Sequence, residues 1–105
     1  MATRDVDPYD PEEVWRRLLA LVEWKGMSER AFSLHCEVNY NQWNNYKTKG
    51  MLPGARMLEK IARRTGVDYA FLRFGQEHDL TLGQADILMI MKQRQLQRVY
   101  TLLTL

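Results

Sequence analysis

The stretch Asn39–Lys49, NYNQWNNYKTK, decides how this chain folds. It holds every asparagine of the protein, yet its spacing is helical. Trp43 and Tyr46, three apart, share one face and are expected to point inward. Tyr40, Asn41, Asn44, Asn45 and Thr48 fall on the outward side, and Asn39 stands where an N-cap belongs. Asparagine is a poor residue for a helix interior, because its amide competes for backbone hydrogen bonds. A helix that carries several needs a reason outside propensity. An amide that donates and accepts side by side matches the N6 and N7 edge of adenine in a major groove. A merely solvated polar surface would have the same composition; the expectation taken forward is a DNA-reading helix.

Toward the N-terminus, Ser28 caps a second short helix, with Ala31, Phe32 and Leu34 expected inward. His35 to Val38 connect it to the asparagine-rich helix. Two short helices joined by so few residues, the second polar on its outer side, read as helix-turn-helix. Further back, Asp10 is an N-cap, Pro11 suits the first helical position and Glu13 completes a capping-box pattern. Val14, Leu18, Leu21 and Val22 form an apolar stripe, Arg16 and Arg17 are expected to face elsewhere, and Gly26 ends this first helix. Residues 1–9 lack periodicity and read as a flexible arm.

Toward the C-terminus, a loop from Lys49-Gly50 to Pro53-Gly54 leads into a fourth helix through Leu58, Ile61 and Ala62, stopped by Gly66. Asp68 caps a short fifth helix with Tyr69, Phe71, Leu72 and Phe74, closed by Gly75. Residues 76–80 read as a linker. Thr81 with Gln84 is another capping box. Leu82, Ala85, Met89, Lys92, Leu96, Val99 and Leu103 then keep a strict three-four spacing, apolar at all but Lys92, which is a heptad seam of about three repeats. The polar stretch Lys92–Gln95 leaves open a break into two helices. The seam either folds back on its own domain or pairs with a second copy. Pairing is the expectation, with Ile87–Met91 buried on more than one side. The fold class is all-α, with no strand-like alternation anywhere.

With 105 residues the chain makes one small domain plus an appended helix. A net charge of +2 says little by itself, but its distribution says more. Val38–Leu58 contains no Asp or Glu and includes Lys47, Lys49 and Arg56, whereas Asp5, Asp7, Asp10, Glu12 and Glu13 crowd the N-terminus. A localised basic face is what phosphate contact requires. Cys36 is alone, so no intramolecular disulfide forms. It neighbours His35, but the other histidine is His78 in the linker. Four zinc ligands are therefore not at hand, and neither metal nor cofactor is expected. The longest apolar run, Ile87–Met91, is far too short to span a bilayer, and no signal segment opens the chain, so a soluble cytoplasmic protein is expected. No glycine-rich phosphate loop and no nucleophile–base pairing points to an enzyme.

Several of these residues recur together in a known family. Met27–Gly50 aligns without gaps to a two-helix motif: Ser28 at the cap, Phe32 and Ser33 packed, Val38 in the turn, Trp43 and Tyr46 inward. Trp-Asn-Asn-Tyr followed by glycine (Trp43–Tyr46, Gly50), Pro53 ahead of the fourth helix, Ile61-Ala62, Gly66-Val67, and Leu72 before Gly75 complete the pattern. Residues 27–75 thus resemble the lambda-repressor-like, or Cro/XRE-type, helix-turn-helix domain, and the resemblance extends over 10–75 with the first helix included. It implies a five-helix domain whose third helix enters the major groove of double-stranded DNA, here followed by an additional C-terminal helix. The resemblance makes Tyr40, Asn41, Gln42, Asn44 and Asn45 the base-reading candidates. Lys47, Thr48 and Lys49, with Ser28 and Arg30 at the start of the second helix, would lie near phosphates.

Three positions depart from the family. Glu37 stands where the turn usually has glycine, Glu29 where the second helix usually begins with glutamine, and Lys47 where glutamate is usual. The expected function is a sequence-specific DNA-binding transcriptional regulator, a repressor of phage or mobile-element type. It would act as a homodimer through Leu82, Ala85, Met89, Leu96, Val99 and Leu103. Two alternatives remain. One is the antitoxin of a toxin–antitoxin pair, gripping its toxin with the C-terminal helix. The other is a protein-interaction module that does not bind DNA, suggested by Glu29 and Glu37.

Overall fold

The computed structural model describes residues 9–104, which form six helices and no strand. They are α1 (Pro11–Trp24), α2 (Glu29–His35), α3 (Tyr40–Thr48), α4 (Ala55–Thr65), α5 (Tyr69–Phe74) and α6 (Leu82–Thr104). The chain is all-α, as expected. Residues 1–8 of the expected arm lie outside the described residues. Tyr9 belongs to the folded body instead, its ring meeting Phe74 edge-on at 5.4 Å.

Every helix contributes to one core. Val14, Leu18 and Leu21 of α1 are fully buried with Phe32, Trp43, Leu58, Ile61, Leu72 and Ile87. The first three repeat every three or four residues, so burial of their stripe stabilises the helix more than propensity does. Asp10 accepts from the Glu12 backbone N–H, whereas Glu13 reaches Arg16 at 2.6 Å and leaves the capping box half-made.

Three inward and outward assignments are corrected. Arg17, expected to face solvent, is buried, and its Nε donates to the Leu72 carbonyl at 2.9 Å. It lies three residues after Val14 and four before Leu21, so helix geometry places it on the apolar face whatever its charge. There it satisfies one of the carbonyls that the last turn of α5 leaves without a helical partner. Burial holds its guanidinium pKa below the ordinary value, with Arg73 and Arg16 adding to the effect and Glu13 and Glu77 opposing it. Leu34 is 72% exposed and Ala31 is exposed as well. The inward ridge of α2 is Phe32 with Cys36, four residues on, and Leu34 points about 200° away from Phe32.

One continuous helix, α6, runs through Lys92–Gln95 without a break. Thr81 accepts from the Gln84 backbone N–H, but the Gln84 side chain does not complete the box. It is buried, and its Oε1 accepts from the Asp68 backbone N–H at the start of α5. Ile87 is fully buried behind it, and Leu88, Ile90 and Met91 are packed only in part. A Cβ at Gly83 would come to 2.7 Å from the Trp24 ring, so glycine is what lets this tryptophan approach α6 so closely. The Trp24 Nε1 donates to Asp86, Arg94 pairs with Glu23, and Arg16 donates to Gln95.

The heptad seam is not the face that packs. Leu82, Met89, Leu96, Val99 and Leu103 are between 44% and 87% exposed, Ala85 is exposed, and so is Met89 within the Ile87–Met91 run expected to be buried on several sides. The helix therefore carries apolar side chains on two faces. One face docks on α1; the seam looks outward.

Candidate nucleic-acid interface

The orientation of α3 is set from inside. Asn39 caps it, its Oδ1 accepting from the Gln42 backbone N–H at 2.9 Å. Trp43 is fully buried, with the Trp15 ring edge-on at 4.9 Å and Phe32 tilted at 5.8 Å. Its indole N–H donates to Glu29 Oε1 at 2.8 Å, so the one polar atom of the ring is satisfied inside the core. The Trp15 indole donates to the Met51 carbonyl at 2.8 Å, tying the segment after α3 back to α1. The turn before α3 has Glu37 in the left-handed region, φ 60°, at the position where glycine is usual in the resembling family. Lys60 and Arg64 of α4 donate to the carbonyls of Glu37 and His35 and brace this turn. Beside it, burial pushes the Cys36 thiol up to about 11, which keeps it a packing residue rather than a nucleophile.

The other side of α3 faces solvent. At about 100° per residue, Asn41 and Asn45 each lie about 160° from Trp43, one on either side of the outward pole. Asn41, Gln42, Asn44 and Asn45 are exposed, and none of their side-chain amides hydrogen-bonds to another described residue. Four base-reading candidates are thus brought together on one polar surface with their donors and acceptors open. Tyr40 is placed differently. It is half-buried against the core, with the Arg30 guanidinium 5.3 Å over its ring.

The phosphate candidates divide. Arg30 and Lys49 are exposed cations at the two ends of this surface. The Ser28 hydroxyl caps α2 by accepting from the Ala31 N–H, and Thr48 donates back to the Asn44 carbonyl. Lys47 does not face out. Its Nζ lies 2.7 Å from Glu29 Oε1, the oxygen that also accepts from Trp43. Lys47 follows Trp43 by four residues, so its stem starts on the inward ridge and its charge ends on the half-buried Glu29 carboxylate.

Glu29 is the site residue whose role is not visible in the sequence. The signal is there as two separate departures from the family pattern, acid for amide at position 29 and base for acid at position 47. The structure makes them one ion pair. Burial raises the Glu29 carboxyl pKa, but hydrogen bonds from Lys47 and Trp43 outweigh it and hold the pKa below its ordinary 4.5. A depressed carboxylate pKa contributes stability at neutral pH that is lost as the pH falls through the folded-state value. The pair is partly exposed, so its contribution is about 1 kcal/mol or less. The expected result is that Lys47→Ala moves the Glu29 carboxyl titration upward, read by carbon-detected NMR, and flattens the fall in thermal midpoint below pH 4.5. An unmoved titration would mean that the ion pair does not persist in solution.

Among the described residues no helix is long and apolar enough to cross a membrane. Comparison with family models, with curated proteins and with solved structures finds no match to this chain. Function is therefore argued from the site itself.

Proposed function

We propose that this protein is a sequence-specific DNA-binding transcriptional regulator of the lambda-repressor-like kind, with α2 and α3 as its helix-turn-helix and α3 as the helix that enters the major groove. The observation that carries the reading is the set of four exposed amides on α3, which make no hydrogen bond to another described residue, on a helix whose opposite side is locked by Trp43. Asparagine and glutamine read adenine through paired donor and acceptor contacts, and contacts of that kind specify sequence while cations at the rim position the protein on the backbone. Arg30 and Lys49 flank the amides and suit the second role. The outward seam of α6 supports a homodimer, since Leu82, Ala85, Met89, Leu96, Val99 and Leu103 form a solvent-facing apolar stripe. A repressor of phage or mobile-element type fits so small a reading domain.

The test is selection of bound sequences from a random duplex library near physiological salt, where non-specific binding is weak, with Kd about 10⁻⁴–10⁻⁶ M. The expected outcome is a palindrome with half-sites about ten base pairs apart, one helical turn. A single enriched half-site would retain the regulator and remove the dimer. No enrichment would overturn the reading. The same exposed stripe favours one second reading, an antitoxin whose α6 is covered by a different protein. That reading requires a heteromeric complex in solution.

A further inference from the structure

We propose that α4 supplies a second row of DNA phosphate contacts, made by Lys60, Arg63 and Arg64 beside the start of α3. The inference rests on the reading of α3 as a DNA-binding helix and names cations that the resemblance did not assign. Arg56, Lys60, Arg63 and Arg64 recur at i, i+4, i+7 and i+8, so they share one face of α4, and all four are exposed. Leu58, on the opposite face, is buried together with Ile61 and Met57, which lie between it and Arg64, and this apolar side fixes which way the cations point. Glu59 is the sole acid on α4 and takes part in no ion pair among the described residues.

Two observations connect this row to the α3 surface. Lys60 and Arg64 hold the carbonyls of Glu37 and His35, at 3.2 and 2.7 Å, and so stand against the turn from which α3 begins. A shallow cleft of about 120 Å³ between the helices is lined by Gln42 and Tyr46 on one side and by Arg56 and Lys60 on the other. A strand whose bases met Gln42 would carry its phosphates toward these cations. A second cleft of about 180 Å³ is lined by Lys60, Arg63 and Arg64 together with Cys36 and Glu37. Cations in the last turn of a helix also complement its dipole, which accounts for Arg63 and Arg64. The dipole does not reach Lys60 and Arg56, one and two turns earlier. Across the turn, Glu37 is only loosely engaged by Arg64, at 4.0 Å.

The experiment compares the salt dependence of duplex binding for the intact chain, Arg63→Ala, Lys60→Gln and, as a control, Arg98→Ala on the outer half of α6. Removing one phosphate-binding cation should make the slope of log K against log salt shallower by about 1, on selected and random duplexes alike. That decrement is expected for Arg63→Ala and for Lys60→Gln, whose amide can still donate to the Glu37 carbonyl, and not for Arg98→Ala. Arg63 makes no hydrogen bond or ion pair among the described residues, so its replacement removes only its interaction with the helix dipole and should lower the thermal midpoint only slightly. Slopes equal to that of the intact chain in both α4 variants would overturn the second row while leaving α3 readout standing. An intact chain without salt-sensitive DNA binding would overturn both.

Discussion

Trp43→Ala is expected to remove about 3–5 kcal/mol of stability, the range for truncating a buried large aromatic. Small domains have about 5–15 kcal/mol in total, so this change brings the chain close to unfolding. The size of the effect follows from what surrounds the ring. Trp43 has no exposed surface, and Trp15 and Phe32 pack on it at 4.9 and 5.8 Å. Truncation would leave a cavity lined by side chains from α1 and α2 that cannot all collapse into it. It would also remove one of the two donors, Trp43 and Lys47, that meet at Glu29 Oε1, leaving a partly buried carboxylate with one partner fewer. Trp43→Phe keeps most of the ring and loses that hydrogen bond, so a smaller loss is expected. Chemical denaturation followed by circular dichroism measures both. A loss below about 1 kcal/mol for Trp43→Ala would mean that α3 is not anchored through this residue.

The second large effect falls on recognition rather than on stability. Asn41→Ala is expected to cost about 1–3 kcal/mol of discrimination at one base pair, the worth of one paired amide–adenine contact. Asn41 is exposed and its amide bonds to no other described residue, so folding stability should change by no more than about 0.5 kcal/mol. Competition binding against duplexes substituted at each position of the selected site separates the two quantities. Relaxed preference at a single position, with unchanged binding to random duplex, is the expected pattern. Equal weakening on every sequence would assign Asn41 to the backbone, and no change at all would make this face a solvated surface.

The fold places Asn41 and Lys47 in different surroundings. Both belong to one short helix, and both are candidates for DNA contact on sequence grounds. Asn41 lies near the pole opposite Trp43 and keeps its groups open. Lys47 begins on the Trp43 side, where Glu29 of another helix is within reach of its amine. A pattern within α3 cannot reveal an acceptor that α2 brings alongside it. The turn before α3 is similar in kind. Glu37 holds a left-handed conformation where glycine is freer, and the bracing cations come from α4, more than twenty positions away.

Much was determined locally by the sequence itself. The caps Asp10, Ser28 and Asn39, the stops at Gly66 and Gly75, and the inward position of Trp43 depend on neighbours within a few residues, which a linear reading contains. Helix periodicity then fixes which side of α1, α3 and α4 is apolar. Tertiary structure alone decided the cases in which one residue could serve two environments. Arg17 sits in an apolar stripe and is buried because the end of α5 presents the Leu72 carbonyl to it. Apolar residues occupy two faces of α6, so periodicity cannot choose between them. Shape chooses, because Gly83, with no Cβ, is the point at which the Trp24 ring can close on that helix, and the heptad seam is left facing solvent.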